Sequence, residues 1–389
     1  MRVDMRSDTP EFEVSALLGV RLETERMFGR AYTAYPNLAR VRWLLPANQP
    51  ALRRAGIGGL YQPGSLRGRV LGRLIDAGAL QGEKVWLEED ALARLESTLV
   101  PILGEEDVRL AFYVGVPAPH RKVTAQVLTP DGKTLAYAKI ATSHLAQEAV
   151  ETERRTLLRL AESEGLRGSV PEVLGSFGWQ GGTTLLITMG PPRPGPRRLS
   201  PAHSDFCARV FHSFEEQRIF ARSPMWARMS ETWLRLQHSP SEALPVRLGL
   251  ALERLHDELG PVLIPFSLAH GDFAPWNTRV GPRSLFVFDW ERASGGMIPL
   301  YDVFNFQALQ AALQGQRRVV PDRRFLLTLS DNLWPGGQSH LPMLYLAYLV
   351  HVFLLYSEAQ SLAPGVGERR VWHWFAKRIE DFLSGGMPL

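Results

Sequence analysis

The sequence predicts an α+β fold of two lobes, in which a small β-rich lobe is followed by a larger, mostly helical lobe. Two observations predict it. Between residues 105 and 190 the pattern runs strand, strand, strand, helix, strand, strand, with an Asp-Gly turn between two of the strands. From residue 191 to 389 apolar residues recur at helical spacing, and only short strands interrupt them. We therefore expect lobes over 105–190 and 191–389, preceded by an N-terminal extension over 1–104.

The composition is that of a globular protein. Hydrophobic residues make up 45% of the 389 residues, which is enough for a large core. The single Cys207 excludes an internal disulfide framework, and the chain does not open with the charged and apolar segments of a secretory signal. The longest apolar run, Leu341 to Tyr356, is shorter than the roughly 20 residues of a membrane span. We expect a cytoplasmic protein with a buried helix at this position.

Each element of the β-rich lobe has its own sequence signal. Alternating and β-branched residues predict five strands, at Val108 to Val116, Val123 to Leu128, Thr134 to Ile140, Val173 to Trp179 and Thr183 to Met189. A helix is predicted from about Ala146 to Ala161, because its apolar residues share one face and Gly165 lies just beyond its end. The Pro/Gly-rich segment Gly190 to Pro196 can neither continue a strand nor start a helix, so it suits a hinge.

The strongest functional signal is the run HGDFAPWN, from His270 to Asn277, followed by an apolar strand that ends in Asp289. Phosphoryl transfer needs a group that accepts the proton of a hydroxyl, and oxygen ligands that hold magnesium. Asp272 lies where a loop leaves a predicted strand and is placed to accept that proton. Asn277 ends the loop and Asp289 ends the return strand, so an amide and a carboxylate can meet at one metal ion.

These residues resemble a known family. The run HGDFAPWN, then FDWE, then Pro299-Leu300-Tyr301-Asp302, resembles the motif series of aminoglycoside phosphotransferases, choline kinases and related small-molecule kinases. The resemblance covers roughly residues 107 to 385. It implies a bilobal protein kinase-like fold, ATP and Mg²⁺ as cofactors, and transfer of the γ-phosphate to a hydroxyl group.

The resemblance also implies roles for individual residues. Asp272 is the expected catalytic base, and His270 is expected to brace the catalytic loop. Asn277 and Asp289 are the expected magnesium ligands. Asp302 matches a recurrent acid after the metal-binding strand, and we expect it to support the loop.

Kinase-like folds also need a lysine on the third strand to hold the α- and β-phosphates, and a glutamate on the next helix to hold that lysine. Lys139 is the only charged residue on the third predicted strand. Glu153 is the expected partner, because it leads into a Leu-rich helical face as in the family. Glu148 and Glu151 remain alternatives, since the phase of a helix is uncertain by a residue or more from sequence.

The nucleotide contacts are predicted from two further segments. The loop Gly115 to Lys122 departs from the phosphate-binding pattern, because it holds one glycine and two prolines, which have no N–H to give. Arg121 and Lys122 are expected to compensate through charge-assisted contacts, and the alternative is a plain hairpin turn with solvated cations. Backbone groups of Thr188 to Gly190 are expected to contact the adenine, and Met189 is either part of that contact or a core residue.

The acceptor is left open by the sequence. Beyond Asp289, Glu291 and Arg292 are expected to face it. A cationic acceptor, such as an amino sugar or choline, requires acidic or aromatic partners. Aromatic residues at helical spacing belong more often to the core. The candidates are Glu215, Glu216, Trp226, Trp233 and Tyr301.

The N-terminal extension has an uneven charge. Between Glu25 and Asp76 the sequence holds nine arginines and no acidic residue. A paired or solvated face is the favoured interpretation, and the alternative is a docking surface for an anionic partner. The leading functional hypothesis is a small-molecule phosphotransferase. The competing ones are a kinase of a macromolecular or anionic acceptor docked by this extension, and a non-catalytic binding module with the same fold.

Overall fold

A computed structural model describes residues 10–24, 29–60, 70, 72–75, 77–115, 120–237, 247–281, 284–316, 323–362 and 366–385. The chain divides into two compact units. The first unit comprises Met1–Glu162 and Val170–Pro194, and the second comprises Ser163–Ser169 and Gly195–Leu389. The final change of unit, after Pro194, falls within the Pro/Gly-rich segment.

The first unit is built on one sheet. Its strands are β1 (Leu22–Glu23), β2 (Arg30–Tyr35), β3 (Trp43–Pro46), β4 (Glu83–Leu87), β5 (Arg109–Val114), β6 (Val123–Leu128), β7 (Thr134–Ala141), β8 (Val173–Trp179) and β9 (Gly182–Thr188). They form a nine-stranded sheet in the order β1-β4-β2-β3-β5-β6-β7-β9-β8. All neighbouring strands are antiparallel. The five predicted strands are β5 to β9, and the N-terminal extension adds four more to the same sheet.

Several described helices of the first unit contact this sheet, namely Pro10–Leu18, Pro50–Leu60, Glu89–Leu103 and His144–Ala161. The helix Glu89–Leu103 buries the apolar face that contains Leu92, Leu95 and Leu99. It ends at Gly104, whose positive φ of 67° lets its N–H donate to the carbonyl of Val100.

One hydrophobic core joins the N-terminal residues to the predicted small lobe. Leu18, Tyr32 and Leu95 pack in the same cluster as Phe112 and Ala138. The buried hydroxyl of Tyr32 donates to the carbonyl of Leu110 at 3.0 Å. The extension is therefore part of the first unit's core.

Part of the arginine block is paired within the first unit. Arg30 forms ion pairs with Glu89 and Glu96, each at 2.5 Å, and both acids belong to the helix Glu89–Leu103. Arg26, Arg67 and Arg69 lie outside the described residues. The pairing of Arg30 agrees with a structural use of the block, and the anionic partner of the extension has no support from it.

The second unit is mostly helical. Its helices are Pro201–Ser213, Pro224–Gln237, Arg247–Leu259, Tyr301–Gln314, Arg323–Leu333, Leu341–Leu362 and Val366–Leu383. Its strands are β10 (Glu216–Ile219), β11 (Leu263–Ala269), β12 (Thr278–Val280), β13 (Leu285–Val287) and β14 (Ser294–Met297). Strands β10, β11 and β14 form a three-stranded sheet, and β12 pairs with β13 in a hairpin. Strand β11 spans seven residues and ends immediately before His270.

In the described part of the chain, a single helical segment, Gly337–Ala359, is long and apolar enough to cross a membrane. It overlaps the helix Leu341–Leu362. In its most apolar stretch, however, 72% is buried inside the structure. Leu344, Tyr348 and Phe353 from this helix belong to the main core of the second unit. It is therefore accounted for as a core helix, as predicted for Leu341 to Tyr356.

We expect that removing residues 1–104 prevents folding of the first unit. Strand β5 would lose its neighbour β3, and the shared core would lose many buried apolar side chains. Each of these is worth about 1.5–3 kcal/mol, so a few of them exceed a typical total stability of about 5–15 kcal/mol. The measurement is soluble yield and thermal unfolding of the truncated chain beside the full chain. A monomeric truncated chain that unfolds cooperatively would contradict it.

Candidate active site

The catalytic-loop candidate, His270 to Asn277, joins strand β11 to the β12–β13 hairpin. Pro275–Asn277 form a single turn of 3₁₀-helix, in which the N–H of Asn277 donates to the carbonyl of Ala274 at 3.0 Å. The N–H of Phe288 then donates to the carbonyl of Asn277 at 3.1 Å. The loop is thus attached at its end to the strand that leads to Asp289.

Asp302 holds the beginning of this loop. Its two carboxylate oxygens accept hydrogen bonds from the backbone N–H of His270 at 2.7 Å and of Gly271 at 3.1 Å. Gly271 has a φ of +77°, and a Cβ there would lie 2.2 Å from the carbonyl oxygen of Arg292. Only glycine fits this position. Burial raises the pKa of Asp302 to about 6, although the two N–H groups favour its charged form.

His270 connects the loop to the following hairpin. Its Nε2 lies 2.9 Å from the carbonyl oxygen of Phe288, and its Nδ1 lies 3.2 Å from the N–H of Asp272. A carbonyl only accepts and an N–H only donates, so Nε2 carries the proton and the ring is neutral. The ring is fully buried, and its centroid lies 4.6 Å from that of Trp290. This arrangement fixes the backbone of Asp272.

Asn277 orients the carboxylate of Asp272. The amide Nδ2 of Asn277 donates to the backbone carbonyl and to the carboxylate Oδ2 of Asp272, both at 2.9 Å. Because the nitrogen is used in this way, the amide oxygen of Asn277 is the atom that can bind a metal ion. Burial raises the pKa of the Asp272 carboxyl, and the positive charge of Arg292 opposes that rise.

Asp289 has an unusual backbone conformation. It follows β13 with φ 70° and ψ 56°, in the left-handed region that few residues other than glycine adopt. Such conformations concentrate at functional sites. Carboxylate oxygens of Asp289 and Glu291 lie within 4.8 Å of each other. Two carboxylates and a nearby amide oxygen are the donor set that a hard divalent cation prefers, so the residues fit a magnesium ion.

Residues outside the predicted motifs support the loop. Phe273 is fully buried and stacks on Phe206, with ring centroids 6.0 Å apart. Asn305 donates to the carbonyl of Phe273 at 3.4 Å, and the hydroxyl of Tyr348 donates to Asn305 at 3.2 Å. Asn305 and Tyr348 are not among the residues predicted from the sequence. The spacing of Asn305 three residues after Asp302 places both on one helix face and is a signal that could have found Asn305.

In the first unit, Lys139 and Glu153 form a buried ion pair. The Nζ of Lys139 lies 2.6 and 2.5 Å from the two carboxylate oxygens of Glu153. Lys139 is 5% exposed and Glu153 is 0% exposed. The two alternative acids point elsewhere. Glu151 pairs with Arg154 at 2.8 Å, and Glu148 is an exposed residue 3.7 Å from His144.

The remaining predicted nucleotide contacts also lie in the first unit. Arg121 donates to the carbonyl of Gly115 at 2.7 Å, and its guanidinium pairs with Glu13. Lys122 is half-buried just before β6. Residues 116–119, the middle of the predicted phosphate-binding loop, lie outside the described residues. Met189 is 41% exposed, which excludes a core position for it. The N–H of Thr188 donates a hydrogen bond to the carbonyl of Glu172 at 2.9 Å.

The predicted acceptor residues have different surroundings. Glu215 lies 3.2 Å from His212, and Glu216 pairs with Arg218 at 2.5 Å. Trp226 and Trp233 pack against the core of the second unit. Tyr301 is 3% exposed, and its hydroxyl lies 2.9 Å from Nδ1 of His351. Both tryptophans are thus placed as partly buried packing residues.

The chain is similar to known proteins both in sequence family and in fold. The model of the phosphotransferase enzyme family APH matches residues 123–326, slightly more than half of the 389-residue chain. A choline kinase from Streptococcus pneumoniae superimposes with a TM-score of 0.52 at 12% identity, covering 75% of this chain and 98% of that chain. No match is found among curated protein sequences.

Two further solved structures superimpose over a similar span. A choline/ethanolamine kinase family protein from Mesorhizobium loti has a TM-score of 0.49 at 14% identity, covering 75% of this chain and 95% of that chain. A thermostable mutant of an aminoglycoside phosphotransferase, solved with ADP and hygromycin B, has a TM-score of 0.49 at 17% identity, covering 76% of this chain and 99% of that chain.

A β-rich unit followed by a helical unit that carries the His-Gly-Asp loop defines a protein kinase-like fold, and the predicted fold class is confirmed. Within that fold, the chain belongs to the phosphotransferase enzyme family. The family match begins at residue 123, so β1 to β5 lie outside it.

We expect Glu153→Gln to destabilise the protein by about 3–5 kcal/mol, because the buried charge of Lys139 would lose the carboxylate that contacts it through both oxygens. Glu151→Gln is the matched control on the same helix. It removes a surface pair with Arg154 and should cost less than about 1 kcal/mol. Urea unfolding of both variants measures the difference. Equal effects of the two substitutions would show that the buried pair has no special weight.

The pH dependence of stability should carry the signature of Asp302. Its pKa rises from 3.8 to about 6 on folding, so the folded protein binds the proton more tightly than the unfolded chain. Stability from this group therefore falls as the pH rises from about 4 to about 6, by about 3 kcal/mol. The side chain introduced by Asp302→Asn does not titrate. Between pH 4 and pH 7, the unfolding free energy of this variant should therefore rise by that amount relative to that of the wild type. A pH-independent difference would refute this assignment.

Proposed function

We propose that this protein transfers the γ-phosphate of ATP to a hydroxyl group of a small molecule, such as a sugar, an aminoglycoside-like compound or an amino-alcohol. Membership of the phosphotransferase family supports the reaction class. The observation that carries the proposal is the catalytic loop itself. Asp272 is oriented by Asn277 within a loop that Asp302 and His270 hold in place.

Asp272 is the proposed base. Its carboxylate receives the proton of the acceptor hydroxyl as the oxygen attacks the γ-phosphorus. Because phosphoryl transfer depends mainly on positioning, the hydrogen bond from Asn277 to Oδ2 matters as much as basicity. Burial raises the pKa of Asp272 and makes it a better proton acceptor, while the positive charge of Arg292 opposes that rise.

Asn277 and Asp289 are the proposed ligands of a magnesium ion, and Glu291 is a further oxygen donor near Asp289. A bound magnesium ion neutralises charge on the phosphate oxygens. The left-handed backbone at Asp289 and the bond from Phe288 to Asn277 hold the two ligands at the ends of one hairpin.

Lys139, held by Glu153, is the proposed contact of the α- and β-phosphates. Arg121 is a weaker candidate than the sequence suggests, because a phosphate has to compete with Glu13 and the carbonyl of Gly115 for its guanidinium. Lys122 and the exposed Met189 remain proposed contacts of the phosphates and of the adenine.

A screen for ATP consumption over a library of small hydroxyl compounds tests the proposal. With the acceptor found, Asp272→Asn should lower kcat by about 10²- to 10⁴-fold, because the base and its orientation of the hydroxyl are lost. Nucleotide affinity, measured by calorimetry, should change little. Asp257→Asn is the control, since its side chain is 80% exposed and belongs to the helix Arg247–Leu259, outside the loop. More than a tenth of wild-type turnover in Asp272→Asn would exclude Asp272 as the base.

A further inference from the structure

A cavity of about 100 Å³ lies in the second unit, lined by residues of the helices Pro224–Gln237 and Leu341–Leu362. Arg228, Thr232 and His351 give it polar walls, and Leu354 and Leu355 give it apolar ones. None of these residues belongs to the motifs by which the chain is recognised as a phosphotransferase. The family motifs therefore do not account for the polar side chains of this cavity.

Arg228 is one of the four charged residues that line this cavity, together with Glu231, Arg235 and Glu358. It is half-buried, and in the part of the chain that the structure describes it contacts no carboxylate. Its guanidinium reaches the carbonyl of Gly295 at 3.4 Å and the sulfur of Met297 at 3.1 Å. Burial lowers its pKa, with an opposing influence from Tyr301. A guanidinium has five N–H donors, and partly burying its charge without a counterion is unfavourable.

The other polar walls add hydrogen-bond donors, and the two arginines and two glutamates of the lining balance in formal charge. The hydroxyl oxygen of Thr232 accepts from Arg235 at 3.1 Å, which leaves its proton for a ligand. Burial lowers the pKa of His351 to about 3, so this ring is neutral at physiological pH. Arg235 pairs with Glu358, and their charges cancel. Glu231 also lines the cavity but is exposed to water, where a lone carboxylate costs little.

The cavity is connected to the catalytic loop through Tyr301. Its hydroxyl lies 2.9 Å from His351 in the cavity wall, and the next residue is Asp302, which holds the loop. The cavity wall is thus one hydrogen bond and one residue away from the acid that holds the catalytic loop.

We propose that the cavity binds an oxyanion, a carboxylate or a phosphate, that belongs to the acceptor. The inference rests on the proposed function and narrows it, from the cationic amino sugars and amino-alcohols to an anionic hydroxy compound. The guanidinium of Arg228 forms charge-assisted hydrogen bonds to the oxyanion, and the hydroxyl of Thr232 adds another donor. The reaction is unchanged. The acceptor oxygen bonds to the γ-phosphorus, the bond to the β-phosphate oxygen breaks, ADP leaves, and the hydroxyl proton passes to Asp272.

Thermal unfolding tests the anion site without relying on turnover. The full chain, with AMP-PNP present to occupy the nucleotide site, is compared in acetate, phosphate and chloride at equal ionic strength. Acetate or phosphate should raise Tm by about 2–5 °C over chloride. The ion with the larger effect identifies a carboxylate or a phosphate as the natural group. The shift should vanish in Arg228→Gln and persist in the control Arg254→Gln, whose exposed side chain pairs with Glu258 and does not line the cavity. No shift in the wild type, or a shift retained in Arg228→Gln, would overturn the proposal.

A stability measurement separates a binding role for Arg228 from a structural one. Without added anion, Arg228→Gln should have a Tm equal to or above that of the wild type, because a partly buried, uncompensated charge has been removed. A Tm lowered by several degrees would show that the guanidinium stabilises the fold, and the proposal would fail.

Acceptor kinetics distinguish this inference from the proposed function. The library is arranged in matched sets of a neutral compound, its acid or phosphate ester, and its amine. The anionic members should be the acceptors, and Arg228→Gln should raise their KM by about ten- to hundredfold. Turnover of a cationic acceptor with an unchanged KM in Arg228→Gln would leave the kinase function standing and refute the anion site. A Tm that rises with the anion, without turnover of any compound, would support the anion site and contradict the kinase function.

Discussion

The geometry of the catalytic loop depends on one carboxylate, that of Asp302, which accepts hydrogen bonds from two successive N–H groups at the start of the loop. These bonds hold Gly271 in its positive-φ conformation against the backbone of Arg292. From there His270 fixes the N–H of Asp272, and Asp272 meets Asn277. A buried acid is costly to keep charged, so the two N–H donors are part of what makes this arrangement possible.

What the sequence could predict follows the range of the interactions. The loop from His270 to Asn277 is local, so the contact between its ends could be inferred from eight consecutive residues. Lys139 and Glu153 are fourteen residues apart. Because Lys139 lies on a strand and a helix follows, the acid that pairs with it is expected on one face of that helix. The bounds of β5 to β9 likewise follow from alternation and turn signals.

The features that could not be predicted depend on contacts between residues that are far apart in the sequence. Strands β1 and β3 have two and four residues, too short for a pattern to be recognised. Their place in the sheet is set by pairing with strands far along the chain, since Leu22 of β1 lies opposite Leu87 and Trp43 of β3 lies opposite Tyr113. Arg121 resembles a solvated cation in sequence, yet its partner Glu13 is 108 residues away. Four residues of the loop before it, 116–119, lie outside the described chain.

The same low-dielectric surroundings act differently on the acids and the cations of the second unit. Burial raises the pKa of Asp272 and Asp302, and each charged carboxylate is compensated within the fold, by Arg292 or by backbone N–H groups. Arg228 is treated differently, because the described chain supplies it with a carbonyl and a sulfur but no anion. An anion from a bound molecule can supply the negative charge that the described part of the fold does not place against Arg228. In a phosphotransferase, the acceptor is a molecule that can bring it.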